Sequence, residues 1–265
     1  MAKCFGLWLG GLWLAALVLG AAGVSWLLPD PLAVDLDWLQ SPPGLEHLGG
    51  TDELGRDVLA RVLHAARPTL LVTAGATALD IVLALLLGML AAYRGGWADR
   101  LLGLAIDFFW SVPFVVFVVL IISLTGVSIA SLILTIGGIN WVTAARVIRA
   151  ETGPLRNLPF IQAAQAFGFS SVQIIVLHLL PALRLTVLTL AAYTAIEVLT
   201  LETGLAFIGL SLPAPTPTWG GILAGGLNYL GSAWWLTCLP AAAVTLTLIS
   251  LQSIGRGMEQ SRYDQ

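Results

Sequence analysis

Long, nearly charge-free apolar runs constrain this chain more than any other feature. A helix needs about 20 apolar residues to cross the hydrocarbon core of a bilayer. Six runs approach or exceed that length, at 5–28, 69–93, 101–124, 127–145, 183–205 and 235–251. The fourth is interrupted by Gly137, Gly138 and Asn140. Backbone groups in lipid must be satisfied within their own segment, which selects helices. No alternating pattern of strand length argues for a barrel. Only 10% of the 265 residues are charged, against about 25% in soluble domains, so lipid is the bulk solvent. The expected fold class is all-α, a polytopic membrane protein with six transmembrane helices.

Charge distribution sets an orientation. With the first residue cytosolic, Lys3, Arg94, Arg100, Arg146, Arg149, Arg156, Arg184, Arg256 and Arg262 fall inside, and only Arg56, Arg61 and Arg67 outside. That asymmetry follows the positive-inside rule. A cleaved signal peptide competes for the first run, whose end carries Ala21, Ala22 and Gly23. The run exceeds the roughly 7–15 residues of a signal-peptide core, which favours an uncleaved anchor. The net charge of −3 does not point to nucleic acid. Cys4 and Cys238 lack metal-ligand spacing and predict no disulfide,. His47 and His64 are lone histidines and are not assigned as ligands.

Outside the membrane, Arg56 and Asp57 precede an amphipathic turn. Val58, Leu59, Val62, Leu63 and Ala66 share one face, and Arg61, His64 and Arg67 another,. A helix lying on the membrane surface is expected, or a brace against an external protein. Residues 211–233 are too short and polar to cross. Pro213, Pro215 and Pro217 stiffen their start, and Trp219 suits an interface, so a short external helix or hairpin is expected.

Between the fourth and fifth runs lies FIQAAQAFGFSSVQIIVLHLLP, residues 160–181, the longest polar interruption on the cytosolic side. It reads as a short helix over 160–167, a break at Gly168, and a second helix over 172–180 before Pro181 restarts the chain. Four carboxylates, Asp80, Asp107, Glu197 and Glu202, fall within or at the ends of the runs. Each is costly in lipid and must face a cavity or a partner. They either line a polar path or bond to neighbouring helices. Asp107 could serve a carbonyl freed by a kink at Pro113.

The 160–181 stretch resembles the EAA loop of ABC importer permeases, E-A-A-x(3)-G-x(9)-I-x-L-P. Ala163, Ala164, Gly168, Leu180 and Pro181 match. Gln162 stands at the usual glutamate, and His178 at the isoleucine, where the peptide branch often carries histidine. GTDELGRDVLARVLHAAR at 50–67, Gly95, Gly96, Trp97, Asp99, Asp107 and Pro113 are similar to the second permease of dipeptide, oligopeptide and nickel importers. So are Arg146, Arg149, Glu151, Leu155, Arg156 and ETGLAFIGLSLPAPTPTWG at 202–220. Arg256 departs, standing where an acidic residue is usual.

The resemblance implies one permease domain over 1–265. Its parts are an anchor helix over 1–30, an external segment with an interfacial helix over 31–68, and the five-helix core of type I importer permeases over 69–257. That core includes a cytosolic coupling loop at 155–181. It implies an ATP-driven importer subunit in a bacterial cytoplasmic membrane, coupled to its ATPase through Phe160, Gln162, Ala163, Ala164, Phe167, Gly168, His178 and Pro181. Phe160 and Phe167 would anchor, and the small residues would permit close approach. Gln162 puts one ion pair with the ATPase in doubt. Expected partners are a homologous permease, two ATPases and an external solute-binding protein. Arg56, Asp57, Arg61 and Trp219 lie on the binding-protein side. ATP and Mg belong to the ATPases, since no G-x-x-x-x-G-K-[ST] loop occurs here. No cofactor, metal or catalytic residue is expected on this chain. The cargo is a di- or oligopeptide, with a nickel or metal chelate as the alternative. An ion-gradient transporter is a remote alternative, lacking a visible internal repeat. An intramembrane enzyme has no H-E-x-x-H or G-x-S-x-G motif in its favour.

Overall fold

The computed structural model describes residues 2–27 and 29–263, with side chains at 8–21, 23 and 29–260. Lys3, Cys4, Ala22 and Arg262 therefore lie outside the described side chains. Among the described residues the main helices follow in order: α1 (Ala2–Leu27), α2 (Val58–Arg94), α3 (Gly96–Ser111), α4 (Phe114–Thr125), α5 (Ile129–Leu155), α6 (Pro159–Ala166), α7 (Ser171–Ala182), α8 (Arg184–Phe207), α9 (Trp219–Gly226) and α10 (Trp235–Tyr263). Among the described residues no strand forms, and one isolated bridge pairs Thr51 with Asp57.

Four helices, α2, α5, α8 and α10, are long and apolar enough to cross a membrane, and α3 with α4 makes a fifth if that bent pair is one span. The described apolar part of α1 is the shorter stretch Trp8–Ala21. Six complete spans are thus not reproduced among the described residues.

Local chemistry starts and stops these helices. Asp57 caps α2 by accepting from the Ala60 amide at 2.8 Å. Ser128 and Ser131 form a capping box at the start of α5. Val112, before Pro113, is extended, as the residue before a proline prefers,. The α3–α4 break there bends the chain by 85°, far more than a simple kink. The broken turn is served by Ser111, whose Oγ donates to the Phe108 carbonyl at 2.8 Å. Asp107 does not play that part: it faces Arg146 at 3.6 Å, with its side chain 75% exposed.

The central contact is α2 against α5. A Cβ at Gly137 would fall 2.6 Å from the Ala76 carbonyl oxygen, and one at Gly88 would fall 2.8 Å from that of Ala145. Only glycine permits this backbone approach, the usual device for packing helices in lipid. Gly137 therefore strengthens α5 packing instead of weakening a span. α8 and α10 pack together beside α2, and α1 lies along α10 and α2.

Two boundaries shift. The expected surface helix at 58–67 is the first part of α2, continuous through Pro68 to Arg94 over 37 residues. Val58, Val62 and Ala66 are buried against other helices. α5 continues past Ala145 to Leu155, carrying Arg146 and Arg149 on its extension.

Candidate functional site

Three regions hold the candidate residues: a knob made of α6 and α7, a polar cluster inside the bundle, and a loop end around residues 36–57.

The knob begins where α5 ends. Leu158 is extended before Pro159, which takes the first helical position of α6,. Phe167 closes α6, and Gly168 follows at φ +82°. Nothing lies within 4 Å of a Cβ built there, so glycine is needed for backbone conformation, not for room within the chain. Ser170 and Gln173 then cap α7 reciprocally. α7 passes through a π turn at Ile175–Leu179. Pro181 sits inside its last turn, and the real break is at Leu183 (φ −92°, ψ 4°), immediately before α8.

The two faces of the knob differ. Ile161, Ala164, Ile174, Leu179 and Leu183 are buried in one apolar cluster with Met89, Trp141, Ala145 and Ile148. Ala164 is therefore part of the root. Ala163, Gln162, Gly168 and Pro181 are exposed. Phe167 is 83% exposed, and Phe160 and Phe169 are roughly half so. His178 packs between Phe160 and Phe169, at ring distances of 6.2 and 5.9 Å, with its Nε2 buried and unpartnered.

Polar ties hold the knob to the bundle. The Arg156 Nη1 donates to the Ala92 carbonyl at 2.8 Å. Gln165 Nε2 donates to the Tyr93 hydroxyl at 3.2 Å, and Gln162 Nε2 to the Asn157 carbonyl at 3.2 Å. Just beyond, Arg149 makes a two-pronged pair with Asp99 at 2.5 and 2.8 Å, the geometry that suits guanidinium best. Thr186 donates to Glu151 at 2.7 Å, linking the start of α8 to α5. Phe169 was missed in the sequence; its position one residue past a corner glycine, opposite Phe167, was the available signal.

Inside the bundle the structure brings Asp80 of α2 and Glu197 of α8 to one residue, Asn140 of α5. The Asn140 amide nitrogen donates to Asp80 Oδ2 at 3.0 Å and to Glu197 Oε2 at 3.2 Å. Asp80 is fully buried and its Oδ1 has no partner, while Glu197 is exposed. Asn140 carried no functional assignment in the sequence, since only the fold shows the three helices meeting. Glu202 stands apart, buried on α8 with its Oε2 unpartnered. Asp107 is at the α3 surface, where Arg146 also lies 4.1 Å over the Trp110 ring.

The loop end is closed on itself. Asp52 accepts from Arg56 Nε at 2.7 Å, from Arg61 Nη1 at 2.5 Å, and from the backbone amides of Leu54 and Arg56. Arg56 also pairs with Glu53 at 3.0 Å. Asp57 meets His47 at 3.0 Å besides capping α2. Trp219 is 0% exposed, its indole donating to the Val62 carbonyl at 2.8 Å. Trp235 likewise reaches the Thr51 carbonyl at 3.0 Å. Arg56, Asp57, Arg61 and Trp219 thus act on their own chain. Trp219 is enclosed by its own chain. Arg56, Asp57 and Arg61 retain only partly exposed surfaces.

Residues 84–260 match the family described as Binding-protein-dependent transport system inner membrane component. The chain belongs to this family. Among its relatives, it is 32% identical over 256 residues to the oligopeptide transport system permease protein OppC of Haemophilus influenzae, covering 94% of this chain and 81% of that one. It is 30% identical over 221 residues to the dipeptide transport system permease protein DppC of Bacillus subtilis, covering 83% and 69%. A putative peptide transport system permease protein of Brucella suis is 31% identical over 246 residues, covering 92% and 83%. The chain is therefore an inner-membrane permease of the ABC importer class, a transport subunit whose family works with a binding protein.

Proposed function

We propose that this permease forms half of the translocation path of an ATP-driven importer of di- or oligopeptides. Its cytosolic face is the α6–α7 knob, with the N-terminus on the same side. A homologous permease completes the path, two ATPases drive it with their own ATP and Mg, and an external binding protein delivers cargo. The names of the relatives support the peptide class.

The knob carries the coupling reading. Its root is buried among α2, α5 and α8 residues, while its crest offers Phe160, Gln162, Ala163, Phe167 and Gly168. Exposed aromatic side chains on a rigid base are what an interface anchor requires. His178 stiffens that crest from behind by packing on Phe160, and Pro181 closes the last turn of α7. A pull on the crest reaches the start of α8 through Leu183 and the end of α5 through Arg156, so ATPase closure becomes helix tilt.

Uptake by proteoliposomes holding both permeases, both ATPases and the binding protein tests this. Peptide accumulation should persist after the proton gradient is collapsed and stop when ATP is withheld. Uptake that follows the proton gradient instead would refute it.

A further inference from the structure

Asp80, Asn140 and Glu197 form an arrangement that is short of positive charge. One amide nitrogen holds two carboxylates together, at 3.0 and 3.2 Å, within helices long enough to cross the membrane. Among the described residues, neither carboxylate is paired with lysine, arginine or histidine. Two carboxylates brought this close in a poorly solvated setting are stabilised when a proton or a positive group joins them. Asp80 supplies an independent sign of what is missing. It is fully buried, yet Oδ1 has no donor. Covalent geometry keeps that oxygen beside Oδ2, and hence beside the bridge. A buried carboxylate oxygen left bare is costly unless a donor arrives.

Access is from one side. Glu197 is exposed, and so are Thr200, Gly204 and, on α5, Thr143. Glu197, Thr200 and Gly204 follow one another at helical spacing, so they share a face of α8. That face is small and hydroxylic where acyl chains would favour large apolar side chains. The site thus has a sealed acidic back, Asp80, an amide clamp, Asn140, and an open acidic front, Glu197.

We propose that this trio binds the ammonium group of the cargo during its passage, with Glu197 meeting it first and the Asp80 carboxyl backing it from behind Asn140. A peptide brings such a group at its amino terminus. The assignment of the cation to cargo rests on the importer reading above.

The test uses the assembled transporter in nanodiscs, with Cys4 and Cys238 replaced by serine and Thr200→Cys introduced one turn from Glu197. The rate of maleimide labelling at that cysteine is measured with alaninamide, which is cationic, and with N-acetylalaninamide, which is neutral. Labelling should slow at least fivefold with alaninamide only, and the protection should vanish when Glu197→Gln or Asn140→Leu is added. Circular dichroism and retention of the partner subunits verify that each variant is assembled. Equal effects of the two amides overturn the proposal. So does protection that survives Glu197→Gln in an assembled complex. A cysteine that maleimide never reaches overturns it too, since a fixed residue of the second permease would then cover the site. Loss of assembly in both added variants, with labelling of Thr200→Cys itself insensitive to alaninamide, is equally fatal. Peptide uptake is measured in parallel with the unmutated complex. If it carries no peptide, the importer reading fails while the labelling result still decides whether the site takes a cation.

Discussion

At the loop end, Asp52, Arg56, Arg61, Trp219 and Trp235 direct their polar atoms to one another and to nearby backbone. At the knob end, Phe160, Phe167 and Phe169 stand out from the chain, and the polar ties are few and lie at the root. Both ends carry aromatic side chains and a glycine at positive φ, Gly55 at +72° and Gly168 at +82°. Yet Gly55 is pressed on the Asp35 carbonyl, whereas Gly168 looks into open space. The same residue types build a self-sufficient clasp in one place and an unfinished surface in the other. Aromatic content alone does not separate the two ends; what separates them is whether the chain has already used those side chains.

Four substitutions would break or sharpen that contrast. Asp52→Ala strands the partly buried Arg61 guanidinium and leaves Arg56 with Glu53 alone, and should cost about 3 kcal/mol, the scale for breaking a buried pair. Thermal unfolding in detergent should shift markedly downward, while the ATPases still bind whatever remains folded. An unchanged melting curve would show that the clasp is not structural. Phe167→Ala should do the reverse. Folding stability stays within about 0.5 kcal/mol, as for ordinary surface changes. Affinity for the ATPases, measured by titration, falls by about 2 kcal/mol, the size of an interface hot spot and roughly 30-fold. Full affinity in this variant would remove the crest from the coupling surface.

Gly168→Ala places a side chain in the left-handed region, at about 1–2 kcal/mol. The knob should loosen and ATP hydrolysis should lose its dependence on the binding protein, with the helical circular dichroism signal unaltered. Normal coupling in this variant would dismiss the corner as a mechanical element. Trp219→Phe is the mildest change: it removes the indole donor to the Val62 carbonyl, which keeps its helical bond, and should lower stability by about 1 kcal/mol, without altering ATPase binding. Denaturant titration reads the first effect and pull-down the second.

The membrane-crossing helices were legible because apolar length is a direct consequence of the bilayer solvent. Where their ends lie was less so. Pro68 reads as a boundary, yet a proline near the start of a long helix loses one backbone bond and is tolerated when neighbours pack around it. Arg146 and Arg149 read as cytosolic and hence as loop, although charge alone does not end a helix, and their partners Asp107 and Asp99 sit on α3. Pro113 was visible as a disturbance; its 85° turn depends on how α3 and α4 pack on α5. At the knob, the corner at Gly168 follows from residue type. That Ala163 faces out and Ala164 in does not, because a small residue serves a packed root as well as an open crest. The meeting of Asp80, Asn140 and Glu197 was not legible at all: they lie 57 and 60 positions from the shared asparagine, on three separate helices.

α2 runs without a break from the cap at Asp57, within the clasp, to Arg94, next to the ties that hold the knob. At 1.5 Å per residue its 37 residues make a rod about 55 Å long,. Such a lever arm, pinned at the clasp, moves its knob-end tip by about 1 Å for each degree of swing. A few degrees would suffice to carry ångström-scale strokes from one side of the membrane to the other, with no hinge required along the way.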